Sequence, residues 1–72
     1  METVTAYVER DEESGLYIGT VPGVMGAHTQ AATLDELQCN LKEVLQLCIE
    51  SGFVDPQHLP RFAGLQLVEV AV

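Results

Sequence analysis

The chain has 72 residues, 47% of them hydrophobic, and its three basic and eleven acidic residues give a net charge of −8. A chain of this length buries only about 60% of its unfolded surface, so we expect one small domain spanning residues 1–72. The mean hydropathy of +0.17 excludes a disordered acidic tail, because such tails are poor in apolar residues. The shortage of Lys and Arg argues against direct nucleic-acid binding, which depends on phosphate contacts.

The acidic charge has two interpretations. It favours a basic protein partner, because complementary charges accelerate association; alternatively, it only keeps a small protein soluble. The sequence shows neither a secretory signal pattern nor a run of 18 apolar residues, so we expect a cytoplasmic protein without a membrane span. Cys39 and Cys48 lie too far apart in a predicted helix to bond to each other, which agrees with a reducing compartment.

The first half of the chain predicts three strands. Residues 3–10 alternate between apolar and polar side chains, as a half-buried strand does. An acidic turn then leads to a second, antiparallel strand at 16–21, which ends at Pro22 because proline has no N–H for a ladder. A third strand is predicted at 26–31, at an edge of the sheet.

A helix follows the third strand. Thr33 and Glu36 have the spacing of a capping box, and apolar residues recur beyond them at three- and four-residue intervals. This pattern predicts an amphipathic helix of about 18 residues. Gly52 is placed to end it in a left-handed cap, with Phe53 as the apolar contact that usually follows.

The end of the chain predicts a fourth strand. Residues 54–64 form a return loop, and residues 65–72 are apolar on both faces, which favours a central strand. A right-handed crossover would bring this strand beside the first one, parallel to it. The predicted fold is therefore α+β, a βββαβ unit with one helix packed on a four-stranded mixed sheet of order 3-2-1-4.

The sequence contains no grouping of side chains typical of a catalytic site. The acidic residues fall in a turn and on the outer face of the helix, where solvation explains them. Neither His28 nor His58 has Cys, Asp or Glu at ligand spacing, and Cys48 is expected in the core. We therefore expect no enzyme activity, no metal site and no cofactor.

One helix covers only one face of a sheet, so the opposite face is expected to bind another chain or to remain a mixed polar surface in water. The first alternative predicts a homo-oligomer. The strand phasing assigns four residues to this uncovered face as a candidate partner interface: Tyr7, Tyr17, His28 and Gln30.

The segment from Val21 to Leu37 resembles the HicB-like antitoxin family. The residues that carry the resemblance are Val21, Pro22, Gly26, His28, Thr29, Gln30, Thr33, Leu34 and Glu36, with Asn40 and Glu43 in the helix. The sequence departs from the family pattern at Met25, where a second proline is usual, and at Ala27 and Ala31, which replace cysteine and glycine. These departures bear on the geometry of the turn and leave the predicted fold unchanged.

The resemblance implies a partial ribonuclease H-like fold and a specific function. Such antitoxins neutralise a small basic HicA-type mRNA-cleaving toxin by binding it stoichiometrically. Many carry a further DNA-binding domain; this chain looks like a short form without one. An orphan oligomeric regulatory module with no toxin partner is the alternative. A divalent-metal nuclease ranks last, because Glu9 and Glu69 are the only strand carboxylates that the predicted sheet offers.

Overall fold

The computed structural model describes residues 3–71 and has an α+β fold. Its elements are β1 (Tyr7–Arg10), β2 (Tyr17–Thr20), β3 (His28–Ala31) and α1 (Leu34–Glu50), followed by one 3-10 turn at Pro56–His58. The strands form a three-stranded antiparallel sheet in the order β1-β2-β3. The order of the first three predicted strands is thereby confirmed, although each observed strand is shorter than its prediction.

Two consecutive turns connect β2 to β3. The Val24 N–H donates to the Val21 carbonyl (3.3 Å), and the Ala27 N–H donates to the Val24 carbonyl (3.2 Å). The third residue of each turn is a glycine with positive φ, 85° at Gly23 and 81° at Gly26, as a type II turn requires. Because the side chains of Val21, Val24 and Ala27 are buried, this loop belongs to the core.

Helix α1 begins and ends at caps that the sequence predicts. The Thr33 hydroxyl accepts a hydrogen bond from the Glu36 N–H at 3.1 Å, which satisfies one of the free donors of the first turn. At the other end Gly52 has φ 80°, and the Phe53 N–H donates to the Cys48 carbonyl at 3.1 Å, as in a Schellman motif. Phe53 itself stays 86% exposed, so its expected apolar contact buries little of the ring.

The helix lies across β2 and β3. Leu37 and Leu41 point from α1 into a core completed by Val21, Val24, Ala27 and Ala31. The Asn40 side-chain amide donates to the Gln30 carbonyl at 3.4 Å, which adds a polar contact between α1 and β3. None of the helices in residues 3–71 has the length and apolarity needed to cross a membrane.

The fourth predicted strand is not seen among the described residues. Residues 65–71 belong to no strand and are exposed throughout; Val72, the last residue of that prediction, lies outside the described part of the chain. The sheet therefore has the order 3-2-1 without a fourth member, and the segment does not occupy a central position. The physical reason is that alternation along a segment allows a strand, but a strand is stable only where it pairs with a neighbouring edge, and among residues 3–71 this segment pairs with none.

Candidate protein-binding surface

The face of the sheet opposite α1 carries two rows of side chains. Residues paired directly across antiparallel strands point to the same face. Thr20 is paired with Tyr7 on one side and with His28 on the other, so these three residues form the first row. The second row is Glu9, Ile18 and Gln30, by the same register. We call these six residues the open face: Tyr7, Glu9, Ile18, Thr20, His28 and Gln30.

The open face is accessible and largely polar. All of its residues are exposed except Ile18, which is half-buried at the centre. Tyr7 keeps 46% of its surface exposed. Within residues 3–71, the side chains of His28 and Gln30 make no hydrogen bond to the protein. Their polar groups are therefore free to bind a partner.

Tyr17 is not on the open face, so its predicted placement was wrong. It is paired with Arg10 and with Ala31, and Ala31 is buried beneath α1. Tyr17 is itself half-buried against the core. The prediction failed because Val21, the residue directly after β2, is buried in the core beneath the helix, and the side chains two and four residues before it point the same way.

Phe62 extends the surface beyond the start of β1. Its ring meets the ring of Tyr7 edge-on, with centroids 6.5 Å apart and an interplanar angle of 79°. Such pairs are favourable beyond the area they bury. The contact holds the return loop beside the start of β1. A cleft of about 630 Å³ next to this contact is lined by residues 3–5, Pro22 and residues 56–62. No periodic pattern in the sequence predicts a role for Phe62, because it lies in a proline-rich loop.

The hairpin between β1 and β2 presents a cluster of acidic side chains. Asp11 accepts hydrogen bonds at one carboxylate oxygen from the Ser14 hydroxyl (2.7 Å) and from the Ser14 N–H (3.3 Å). The hydroxyl bond is the main cause that lowers the pKa of Asp11, and the Ser14 backbone bond adds to it. With Asp11 ionised, the turn holds three negative charges together, because Glu12 and Glu13 are exposed beside it.

The other titratable groups are dispersed. Among residues 3–71, no three His, Cys, Asp or Glu side chains are grouped so that they could hold a metal ion. His58 pairs with Asp55 at 3.0 Å across one turn, both of them well exposed. Cys39 is exposed and Cys48 half-buried, and both are free thiols.

Three curated proteins resemble the chain over most of its length. A UPF0150 protein of Thermotoga maritima is 44% identical over 66 residues, which cover 92% of this chain and 87% of that protein. UPF0150 proteins of Synechocystis and of Archaeoglobus fulgidus are 41% and 42% identical, and each alignment covers 88% of this chain and 87% of the relative. No protein-family model and no solved structure matches the chain. With relatives this similar over nearly the whole chain, the protein belongs to the UPF0150 family.

Proposed function

We propose that this protein is a HicB-like antitoxin domain that neutralises a small basic HicA-type toxin by stoichiometric binding and performs no catalysis of its own. The observation that carries the proposal is an uncovered sheet face, with exposed aromatic and amide side chains, on a chain of net charge −8. Small globular proteins use such faces to bind other chains. The site of action is the cytoplasm, where a toxin of this kind meets messenger RNA.

Charge supports a basic partner. The acidic hairpin at Asp11, Glu12 and Glu13 lies at one end of β1 and β2, next to the open face, and Glu9 lies within that face. A basic protein approaching this end meets a field of opposite sign, which raises the association rate and orients the encounter. This contribution weakens at high ionic strength, because exposed charges are screened.

The residues shared with HicB-like antitoxins support the open face as the contact. Of the shared His28-Thr29-Gln30 stretch, Thr29 is half-buried on the helix side of the sheet, whereas His28 and Gln30 are exposed on the open face. The Gln30 backbone carbonyl accepts a hydrogen bond from the Asn40 side chain, whereas within residues 3–71 neither the His28 nor the Gln30 side chain makes a hydrogen bond to the fold. A role in partner recognition explains why these residue types stand at these positions.

We propose that residues 65–72 become the fourth strand, beside β1, and complete the sheet order 3-2-1-4 of a partial ribonuclease H-like unit. The open edge of β1 and the strand-like alternation of this segment support it. We also propose that the protein is a homo-oligomer.

The experiment that tests the binding surface is calorimetric titration of a HicA-type toxin from the same genome with wild-type protein and with Tyr7→Ala, His28→Ala and Gln30→Ala. Residues at the centre of an interface cost more than about 1 kcal/mol when truncated, so we expect the dissociation constant to rise about five- to tenfold for at least two of the three. Gln38→Ala and Gln46→Ala, exposed on α1, are matched controls and should change it less than about twofold. Unchanged affinity in all three open-face variants would place the contact elsewhere. No binding by the wild type would favour the orphan module.

A further inference from the structure

Residues 65–71, which we call the C-terminal tail, form an apolar segment whose side chains are largely exposed. Leu65 and Leu67 are 83% and 103% exposed, and Val68 and Val70 on the alternate side are 75% and 73% exposed. Leucine and valine in this alternation favour a strand, but a strand is not stable in water without a neighbouring strand to pair with. The tail therefore lacks a partner strand.

The sheet offers an unpaired edge on β1. The Asp11 N–H donates to the Leu16 carbonyl at 2.8 Å, and because hydrogen-bonded pairs alternate along an antiparallel ladder, Tyr7 and Glu9 also direct their backbone groups at β2. The N–H and C=O groups of Val8 and Arg10 consequently point away from β2. Among residues 3–71, no strand pairs with that edge. Such an edge is a ready template for an additional strand.

An apolar surface adjoins the same edge. Val8 is paired with Gly19, which lies beneath Leu41, so Val8 is on the helix side of the sheet. It is nevertheless 47% exposed, because α1 covers β2 and β3 and stops short of β1. A strand added at β1 would gain backbone hydrogen bonds and apolar contacts together.

The direction of the chain indicates whose edge the tail meets. Phe62 contacts Tyr7 at the start of β1, but residues 65–71 belong to no strand and, in the described part of the chain, only β2 pairs with β1, so the tail does not follow its own β1. The molecule measures 44 Å along its longest axis, with a radius of gyration of 13.8 Å against about 11 Å for a compact chain of 72 residues. An extended tail of seven residues spans about 23 Å, enough to reach across a neighbouring copy.

Charge at this edge permits a second copy. Two chains of charge −8 repel each other, but the receiving strand carries one acidic and one basic residue, Glu9 and Arg10, and Glu69 is the only charged residue of the tail. A basic partner would instead select the acidic hairpin. We propose that the tail adds to the open edge of β1 of a second copy, and that the two copies exchange tails reciprocally. A twofold axis relates the two copies in such a dimer, so that each tail pairs with the β1 edge of the other copy and neither tail nor edge is left unpaired.

This proposal rests on the fourth strand proposed above but not on toxin binding, and it is tested without the toxin. Light scattering after size-exclusion chromatography should give a mass twice the chain mass of 7.8 kDa. Leu67→Glu should weaken the dimer by about tenfold or more, because it places a charge in the paired tail. The matched control Leu47→Glu, at a leucine of α1 that is 66% exposed, should leave the mass unchanged. A monomeric wild type, or a dimer equally sensitive to both substitutions, would overturn the proposal.

Edge variants identify the receiving strand. Val8→Pro removes an N–H that points away from β2, and Val8→Lys places a charge beside the same edge, with circular dichroism to confirm that each variant folds; either should weaken the dimer about as much as Leu67→Glu. A mixture of Val8→Lys and Leu67→Glu should recover association, because the tail of the first meets the intact edge of the second. If the Val8 variants stay dimeric, or the mixture stays monomeric, tails do not pair with β1 in trans.

Discussion

Gly19 lies directly beneath Leu41: a Cβ atom placed on Gly19 would be 2.9 Å from Cδ1 of the leucine. Leu41 is only 6% exposed, so its side chain has little room to move away. We expect Gly19→Ala to lower the free energy of unfolding by about 1–2 kcal/mol through overpacking, measured by urea denaturation. The neighbouring Thr20→Ala, on the open face, should change it by less than about 0.5 kcal/mol.

A compensating substitution tests the cause. Leu41→Val in the Gly19→Ala background shortens the side chain that the new methyl group meets, so the double variant should lose less stability than the sum of the two single changes. If the stability losses of the two single variants simply add, the contact between residue 19 and Leu41 is not the cause of the destabilisation by Gly19→Ala.

Loss of the Thr33 cap of α1 should lower the stability of the protein. Replacing Thr33 by Ala removes the hydroxyl that accepts from the Glu36 N–H and should cost about 1 kcal/mol of stability. Thr33→Ser keeps an acceptor oxygen and should retain most of the stability. Thermal unfolding followed by circular dichroism at 222 nm measures both; an equal loss in the two variants would assign the effect to the threonine methyl group instead of the cap.

A substitution at Met25 should stabilise the turn. Met25 is the second residue of the turn from Val24 to Ala27, and its side chain is fully exposed. Proline is favoured at this position of a type II turn. Met25→Pro should raise the free energy of unfolding by about 0.4–1 kcal/mol, because proline restricts the unfolded chain. Met25→Ala is the control and should be close to neutral. A destabilised proline variant would show that the backbone at Met25 does not match the fixed φ of proline.

Acid should weaken the hairpin through Asp11. Hydrogen bonds from Ser14 lower its pKa in the folded state below the ordinary value of 3.8. A depressed pKa of a carboxyl group contributes stability that is fully present above the unfolded-state pKa and is lost as the pH falls through the folded-state value. Ser14→Ala should therefore be less stable than the wild type above about pH 5, and the difference should shrink as the pH falls below 3.8. A difference that does not change with pH would contradict this.

The parts of the fold that the sequence predicts are those governed by local chemistry. The Thr33 cap, the periodicity of α1, the glycine at residue 52 and the turn at Pro22 each act within a few residues, and each is where the pattern places it. The order of three strands joined by short turns follows from the same local signals.

The errors concern contacts between distant residues. The alternation along residues 16–21 does not show which set faces the helix; the fit of Gly19 against Leu41 and the burial of Val21 decide it, and they place Tyr17 on the helix side. The pattern of residues 65–72 predicts a strand, but a strand needs an edge to pair with. The local sequence does not indicate whether that edge belongs to the same chain or to another copy. Phe62 likewise owes its place at the open face to a contact with Tyr7.

The measurement that tests the proposed function most directly is a titration of toxin activity. A HicA-type toxin from the same genome is held at a fixed concentration well above the dissociation constant, and cleavage of an RNA substrate is followed as this protein is added. Stoichiometric neutralisation predicts that the cleavage rate falls linearly and reaches zero at a fixed molar ratio, and that the end point is unchanged in the Gln38→Ala control. Undiminished cleavage at a tenfold molar excess of the protein would contradict the account.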